Sequence, residues 1–193
     1  MDLPDGDVRD YGTVLTVVRE NQPHTIIHLA LNTHVENWQS GKADPGNRTM
    51  VENIYNAAME AGVKRVIMAS TVHTDQYPTW KGPELLSPHS NNATSPYGRN
   101  KVWMEKLGEE YAKKGLEVVC VRLGGVSPNN EVFDEPGGRE VYLHHDDLVD
   151  LVNRILEADT IPDNYVVMYA VSDDEGRLHD ISNPFDWKPQ HGK

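Results

Sequence analysis

Apolar residues occur along the chain at two alternating spacings. In four segments they recur every three or four residues, which predicts amphipathic helices over residues 7–21, 46–61, 96–114 and 145–158. Between these segments they form short continuous runs, which predict strands over residues 24–30, 64–70, 116–123 and 164–172. Gly62 and Gly115 follow the second and third helical segments, and glycine is common just after the last turn of a helix.

The alternation of helices with apolar strands predicts an α/β fold. Strands that are apolar nearly throughout are typical of a parallel sheet whose two faces are both covered by helices. A length of 193 residues suits one domain over residues 1–193. Within it we expect an irregular loop over residues 72–94, and a polar, irregular tail over residues 173–193 that lies over the surface.

The composition predicts a soluble chain with no membrane partner. Hydrophobic residues make up 38% of the chain and the mean hydropathy is −0.59. No apolar run approaches the roughly 20 residues that a membrane-spanning helix needs. The acidic start MDLPDGDVRD is unlike a secretory signal, so a cytoplasmic location is expected. A net charge of −12, with no basic stripe to offset it, argues against a nucleic-acid partner.

The sequence predicts neither a disulfide nor a metal site. The single cysteine, Cys120, lies in the apolar run LEVVCVRL and is expected to be a buried thiol. His144 and His145 precede Asp146 at the start of a predicted helix, which is more typical of a helix cap than of metal ligands.

The segment SPYGRNK, residues 95–101, places Tyr97 and Lys101 four residues apart on a predicted helix. That spacing is just over one turn, so the two side chains share a face. A phenol ordinarily has a pKa of about 10, and a nearby ammonium lowers that pKa. Tyr97 can then act as a general base toward a hydroxyl or as a general acid toward a carbonyl.

The second hydroxyl of such a site is expected at a strand end, because ligands bind at the carboxyl ends of the strands in open parallel sheets. Thr71 follows the second predicted strand, with Ser70 as the neighbouring alternative. Tyr77 and Lys81 repeat the Tyr–Lys spacing, but they lie in a proline-containing loop with no helical pattern. Tyr97 is therefore the expected acid–base residue.

The segments IIHLA, ASTVH, SPYGRNK and VRLGGVSP together resemble the extended short-chain dehydrogenase/reductase family, the NAD-dependent sugar epimerases and dehydratases. Within that family, ASTVHTDQYP, HHDDLVDLV and FDWKP are similar to segments of the uronate dehydrogenases. The resemblance implies a Rossmann-like sheet and an NAD(P)-dependent oxidoreductase that acts on a sugar or sugar acid. NAD is the expected cofactor, and NADP stays open.

The resemblance also implies roles for individual residues. Tyr97 would be the acid–base residue, Lys101 its partner and a ligand of the cofactor ribose, and Thr71 the residue that positions the substrate. The other implied cofactor ligands are Asp2, Leu3, Ala30, Gly124 and Val126. The implied substrate ligands are Thr33, Ser70, His73 and Arg139. Asn47 matches an asparagine of the family. The resemblance further suggests a homodimer formed by the helices at 46–61 and 96–114.

The chain departs from the family pattern at several points. Val72 and Gly125 stand where uronate dehydrogenases carry asparagine and serine. The family opens with a strand, a Gly-x-x-Gly-x-x-Gly loop and a helix that cradles the pyrophosphate, and the chain carries no such loop. We therefore expect an N-terminally truncated fold that lacks roughly sixty residues of a dinucleotide-binding half.

Two other functions stay open at this point. The chain can be a non-catalytic relative that acts as a binding or interaction module, because an apolar strand edge at 24–30 left uncovered favours pairing with another chain. A nucleotide-sugar epimerase or dehydratase is the lesser alternative, because the short C-terminal portion leaves little room for a nucleotide-binding lobe.

Overall fold

The computed structural model describes residues 6–76, 79, 81–134, 137–172 and 176–192. It contains the four predicted helices, α1 (Tyr11–Asn21), α2 (Pro45–Ala61), α3 (Pro96–Ala112) and α4 (His145–Glu157). It also contains the four predicted strands, β1 (Thr25–His28), β2 (Arg65–Thr71), β3 (Glu117–Leu123) and β4 (Tyr165–Ala170). Single 3-10 turns follow at Val72–Thr74 and Pro162–Asn164. Asp2, Leu3 and Tyr77 lie outside the described residues.

The four strands form one parallel sheet in the order β1-β2-β3-β4, which confirms the predicted α/β fold. The register places Met68 at the centre of the sheet, paired with His28 on one side and with Cys120 on the other. Because all strands run the same way, Thr71 and Leu123 end side by side at the carboxyl edge. That edge carries the residues of the predicted site.

Helices cover both faces of the sheet, as predicted. α1, α2 and α3 pack on the face that includes Val66 and Met68, and α4 packs on the opposite face, which includes Ile67 and Val119. Each successive strand nevertheless lies on the same side of the strand that precedes it. The crossover through α4 therefore has the opposite hand to the crossovers through α2 and α3, although one hand is strongly preferred in parallel sheets.

Capping residues decide where the helices begin and end. The first helix starts at Tyr11 rather than at residue 7, because the Asp10 carboxylate accepts hydrogen bonds from the backbone N–H groups of Gly12 and Thr13. α2 ends before Gly62 as predicted, and Gly62 adopts the left-handed conformation that closes many helices, with φ 72°.

The tail is more deeply packed than the sequence predicts. Phe185 and Trp187 are 8% and 2% exposed and belong to the core beneath α4. The Trp187 indole N–H donates a 2.9 Å hydrogen bond to the backbone oxygen of Asp147 in α4. The prediction that the tail lies over the surface is therefore wrong for these residues, because their aromatic side chains complete a core that the helix alone leaves open.

None of the described helices combines the length and the apolar character needed to cross a membrane. Cys120 has no exposed surface and lies in the middle of β3, as expected of a buried thiol.

Candidate active site

The N-terminus of α3 is fixed against the end of β2 by Ser95 and Gly98. The Ser95 hydroxyl caps the helix by accepting a 3.0 Å hydrogen bond from the Gly98 N–H. The α-carbon of Gly98 packs so closely on the 3-10 turn after β2 that an added methyl group would overlap the backbone oxygen of His73. This close approach places Tyr97, the residue before Gly98, beside Thr71 and His73.

Tyr97 and Thr71 form the predicted hydroxyl pair. The Thr71 hydroxyl lies near the Tyr97 phenol and lowers the pKa of Tyr97, whereas burial has the larger effect and raises that pKa. The balance is a raised pKa, where the sequence predicts a lowered one, because partial burial disfavours the charged phenolate.

Lys101 lies behind the Tyr97 ring rather than beside the phenol oxygen. Its Nζ is 5.9 Å from the centroid of the Tyr97 ring and donates a 2.6 Å hydrogen bond to the backbone oxygen of Ala69. Only 9% of Lys101 is exposed. Burial lowers the pKa of Lys101 to about 8, and the negative charge of Glu36 opposes that effect.

Aromatic rings line one side of Tyr97. His73 meets the Tyr97 ring edge-on at 6.0 Å between centroids, and Trp38 stacks on His73 at 5.3 Å with an interplanar angle of 9°. Burial lowers the pKa of His73 to about 4, so its imidazole is neutral at pH 7. Trp38 stands in the loop after β1 and is 45% exposed, so the stack reaches from Tyr97 to the surface.

Ser70 faces away from this cluster. Its side chain is buried, and its hydroxyl donates a 2.5 Å hydrogen bond to Glu105 of α3. Glu105 is itself held by Arg122 through two hydrogen bonds of 2.9 and 2.8 Å. In this structure Ser70 therefore serves the packing of α3 on the sheet, and Thr71 is the hydroxyl of this strand end that lies near Tyr97.

The segment after β3 is largely engaged in backbone contacts. The Gly124 N–H donates to the backbone oxygen of Ala170 at 2.9 Å, so this N–H continues the hydrogen bonding of the sheet. A Cβ at Gly125 would lie 2.7 Å from the Phe133 ring, so a serine there would require this exposed ring to move. Val126 is 37% exposed at the same edge. Arg139 lies in the exposed turn that returns to Gly125.

A groove of about 860 Å³ runs along the outer side of β1. Ala30 and Thr33 line it, together with residues from the start of α2. Ala30 also lines a small cavity that reaches Lys101, so the groove and the Tyr97–Lys101 cluster meet at this residue.

Asn47, Glu36 and Asn100 join the loop after β1 to α2 and α3 behind Lys101. Asn47 is buried, and its side-chain oxygen accepts a 2.7 Å hydrogen bond from the Asn32 N–H. Its amide donates to Glu36, which also accepts from Asn100. Sequence reasoning missed Glu36, because it lies in the polar stretch THVENWQSGK, which has no periodic pattern. A glycine inside a helical pattern was the available signal for Gly98.

The histidines before α4 serve the helix end. His144 Nδ1 accepts a 3.1 Å hydrogen bond from the Asp146 N–H, which confirms the predicted cap. The His191 ring stacks on His144 at 4.2 Å, and its Nδ1 bonds to the buried Asp147 carboxylate at 2.8 Å. These contacts fasten the tail to α4.

Fold and site together define a Rossmann-like α/β protein with its candidate site at the carboxyl edge of a parallel sheet. Residues 2–132 match the NAD dependent epimerase/dehydratase family, so the chain belongs to that family. This confirms the resemblance inferred from the motifs, and the expected cofactor, NAD, agrees with it.

Particular relatives are sugar and uronate dehydrogenases. The chain is 35% identical over 130 residues to uronate dehydrogenase of Pseudomonas syringae pv. tomato, a match that covers 65% of this chain and 44% of that protein. It is 30% identical over 192 residues to L-arabinose 1-dehydrogenase (NAD(P)(+)) of Haloferax volcanii, covering 89% and 74%. The chain thus spans less than half the length of the first of these relatives.

A solved structure of similar fold is that of uronate dehydrogenase from Agrobacterium tumefaciens. It superposes with a TM-score of 0.79 at 26% identity and covers 97% of this chain and 68% of that one. A mutant of that enzyme complexed with NAD superposes with a TM-score of 0.81, also at 26% identity and with the same coverage.

Proposed function

We propose that the chain carries the acid–base half of an NAD-dependent dehydrogenase that oxidises a sugar or sugar acid at its C1 hydroxyl. The observation that carries the proposal is the neighbouring Tyr97 and Thr71 hydroxyls with the buried Lys101 behind the Tyr97 ring. The family and the relatives named above support the same reaction class.

Each residue has a separate task in this proposal. Thr71 holds the substrate oxygen at the end of β2. Tyr97 accepts the hydroxyl proton as the C1–OH group becomes a carbonyl, for which it must first lose its own proton against the raised pKa that burial gives it. The ammonium of Lys101 stabilises the phenolate through the ring. The two electrons and the second hydrogen leave C1 as hydride, for which NAD⁺ is the acceptor when bound.

The residues present fit one end of the cofactor. Ala30 and Lys101 lie where the groove along β1 meets the acid–base pair, and the groove is in the size range of small-molecule sites, about 300–1,000 Å³. Two of the described helices, α1 and α2, line the groove, and they begin at the carboxylates of Asp10 and Asp44. A carboxylate at the start of a helix occupies the place where a phosphate would bind, so we assign no phosphate cradle among the described residues. Asp2 and Leu3 stay predictions.

The test is NADH production from uronates and from L-arabinose by the Tyr97→Phe variant. Loss of the phenol oxygen removes the acid–base group, and we expect kcat to fall by about 10²–10⁴-fold. Tyr11→Phe is the matched control, because the Tyr11 hydroxyl bonds to Glu60 on the surface of α2, away from the site. Equal turnover in wild type and Tyr97→Phe would refute the assigned role.

A binding module is the second candidate, and the outer edge of β1 favours it. Ile27 and Leu29 are 43% and 69% exposed there. Titration with NAD and NADP separates the two functions. Micromolar affinity supports the dehydrogenase, whereas no detectable binding, together with self-association that Leu29→Lys abolishes, supports the module.

A further inference from the structure

Glu36 is a carboxylate with no exposed surface, located in the loop after β1. Such a group is costly to bury unless several donors satisfy it. Its Oε2 accepts hydrogen bonds from the Asp44 N–H at 2.7 Å and from the Asn47 amide at 2.9 Å. The Asn100 amide donates to Oε1 at 2.6 Å and to Oε2 at 2.9 Å. The carboxylate therefore joins its own loop to α2 and to the first turns of α3.

All of these donors are neutral, so they do not cancel the charge of Glu36. None of the ion pairs found within the described parts of the chain includes Glu36. Arg48, a cation on α2, directs its Nε to the side-chain oxygen of Asn100 instead. The negative charge of Glu36 is therefore not neutralised by a direct ion pair, and it can act on the pKa of a neighbouring group.

Lys101 lines a cavity together with Glu36, as does Arg48, whose Nε is bonded to Asn100. A cavity of about 20 Å³ is lined by Glu36, Asn47, Asn100 and Lys101, among others. That volume is enough for about one water molecule. Asn100 also links the two groups along the chain, because it donates to Glu36 and directly precedes Lys101.

The other titratable groups that face Lys101 do not supply a free negative charge. The Glu105 carboxylate is committed to Arg122. Burial keeps the Cys120 thiol protonated by raising its pKa, and lowers the pKa of His28 to about 4 so that its ring is neutral. Tyr97 presents its ring. Glu36 is the remaining anion, and its charge raises the pKa of Lys101 against the effect of burial.

We propose that Glu36 is a positioning residue of the Tyr97–Lys101 site, which anchors the start of α3 through Asn100 and keeps Lys101 protonated near neutral pH. The role in catalysis rests on the function proposed above. The effect of Glu36 on the protonation of Lys101 does not depend on that function and can be measured without cofactor or substrate.

The experiment is a pH titration of the Lys101 side chain by NMR in protein with ¹³C-labelled lysine, without cofactor or substrate, and with Lys101→Met to assign the signal. In the wild type we expect Lys101 to titrate near pH 8, because burial lowers its pKa to about 8. Glu36→Gln removes the charge and keeps the shape, so we expect the midpoint to fall by at least about one pH unit. Glu60→Gln, which removes a surface carboxylate paired with Arg19, is the matched control and leaves the midpoint unchanged.

Equal midpoints in wild type and in folded Glu36→Gln would overturn the proposal. Should Glu36→Gln fail to fold, Glu36→Asp withdraws the charge by one methylene and is expected to give a smaller shift in the same direction. An unshifted midpoint in that variant would overturn the proposal equally. In the enzyme assay, the pH at which kcat falls on the alkaline side should decrease together with the Lys101 midpoint. A shifted midpoint in a protein without turnover counts against the dehydrogenase function and leaves the role of Glu36 supported.

Discussion

At the scale of single residues, the contact between Gly98 and the His73 backbone determines whether the site exists. The phenol of Tyr97 reaches Thr71 only because α3 can approach the turn after β2 without an intervening side chain. The helix turn carries no strained backbone at this residue. Glycine is needed here for space and not for an unusual φ angle.

Gly98→Ala is expected to reduce activity more than stability. The added methyl group meets backbone, which cannot rotate away, so the start of α3 must move and carry Tyr97 with it. Overpacking of this kind costs about 1–3 kcal/mol in unfolding free energy. We expect kcat to fall at least about tenfold, since misplacing a reacting group by about 1 Å can cost 10²-fold.

Gly12→Ala is the matched control for that substitution. Gly12 lies in the first turn of α1, where an added methyl group would sit 3.4 Å from a side-chain oxygen of Asp10. Urea denaturation and NADH production should both stay near wild type for this variant. A Gly98→Ala protein with full activity would show that Tyr97 does not depend on the close approach.

At the scale of elements, α3 is held by a buried ion pair beneath the site. Arg122 of β3 binds Glu105 of α3, and both side chains are at most 5% exposed. Arg122 also donates to the Tyr169 hydroxyl at 2.9 Å, and Ser70 donates to Glu105. The network ties α3 to β2, β3 and β4 at one point.

Glu105→Gln should destabilise the fold strongly. The substitution leaves the Arg122 guanidinium buried without a counter-charge, which costs about 3–5 kcal/mol of unfolding free energy. Glu60→Gln breaks the exposed pair with Arg19 and should cost no more than about 1 kcal/mol. Urea denaturation measures both. Similar losses in the two variants would mean that the buried pair adds nothing beyond a surface contact.

The elements themselves were predictable, because apolar periodicity is a local property. Their ends were less so: α1 starts where Asp10 caps it, and β1 is shorter than the apolar run that contains it. The Tyr97, Lys101 and Thr71 set followed from spacing and strand ends. Glu36 and Trp38 could not be foreseen, because a loop without periodicity gives no sign of which of its side chains turn inward.

At the scale of the whole molecule, neutral buried histidines make stability depend on pH. Burial lowers the pKa of His28 to about 4 and that of His179 to about 3. The unfolded chain protonates these groups near their usual pKa of about 6.5, whereas the folded chain keeps them neutral. Stability is therefore full above about pH 6.5 and is lost as the pH falls toward the folded values.

His28→Gln tests this dependence. Each such histidine costs the folded state about 1.4 kcal/mol per pH unit below its usual pKa. The variant, which cannot take up a proton there, should lose less unfolding free energy between pH 7 and pH 5 than the wild type. His24→Gln, at an exposed position, should follow the wild-type slope. Identical slopes for wild type and His28→Gln in urea denaturation would contradict the prediction.

The reversed hand of the crossover through α4 has a consequence for biosynthesis. The face of the sheet under α1, α2 and α3 is covered by residues that largely precede β3, whereas the opposite face waits for α4, Phe185 and Trp187. On the ribosome, Ile67 and Val119 therefore emerge before α4, Phe185 and Trp187, which pack on them in the folded chain. A nascent chain therefore exposes the apolar face of β2 and β3 until Trp187 has left the exit tunnel. During that interval a chaperone has the largest apolar surface to bind.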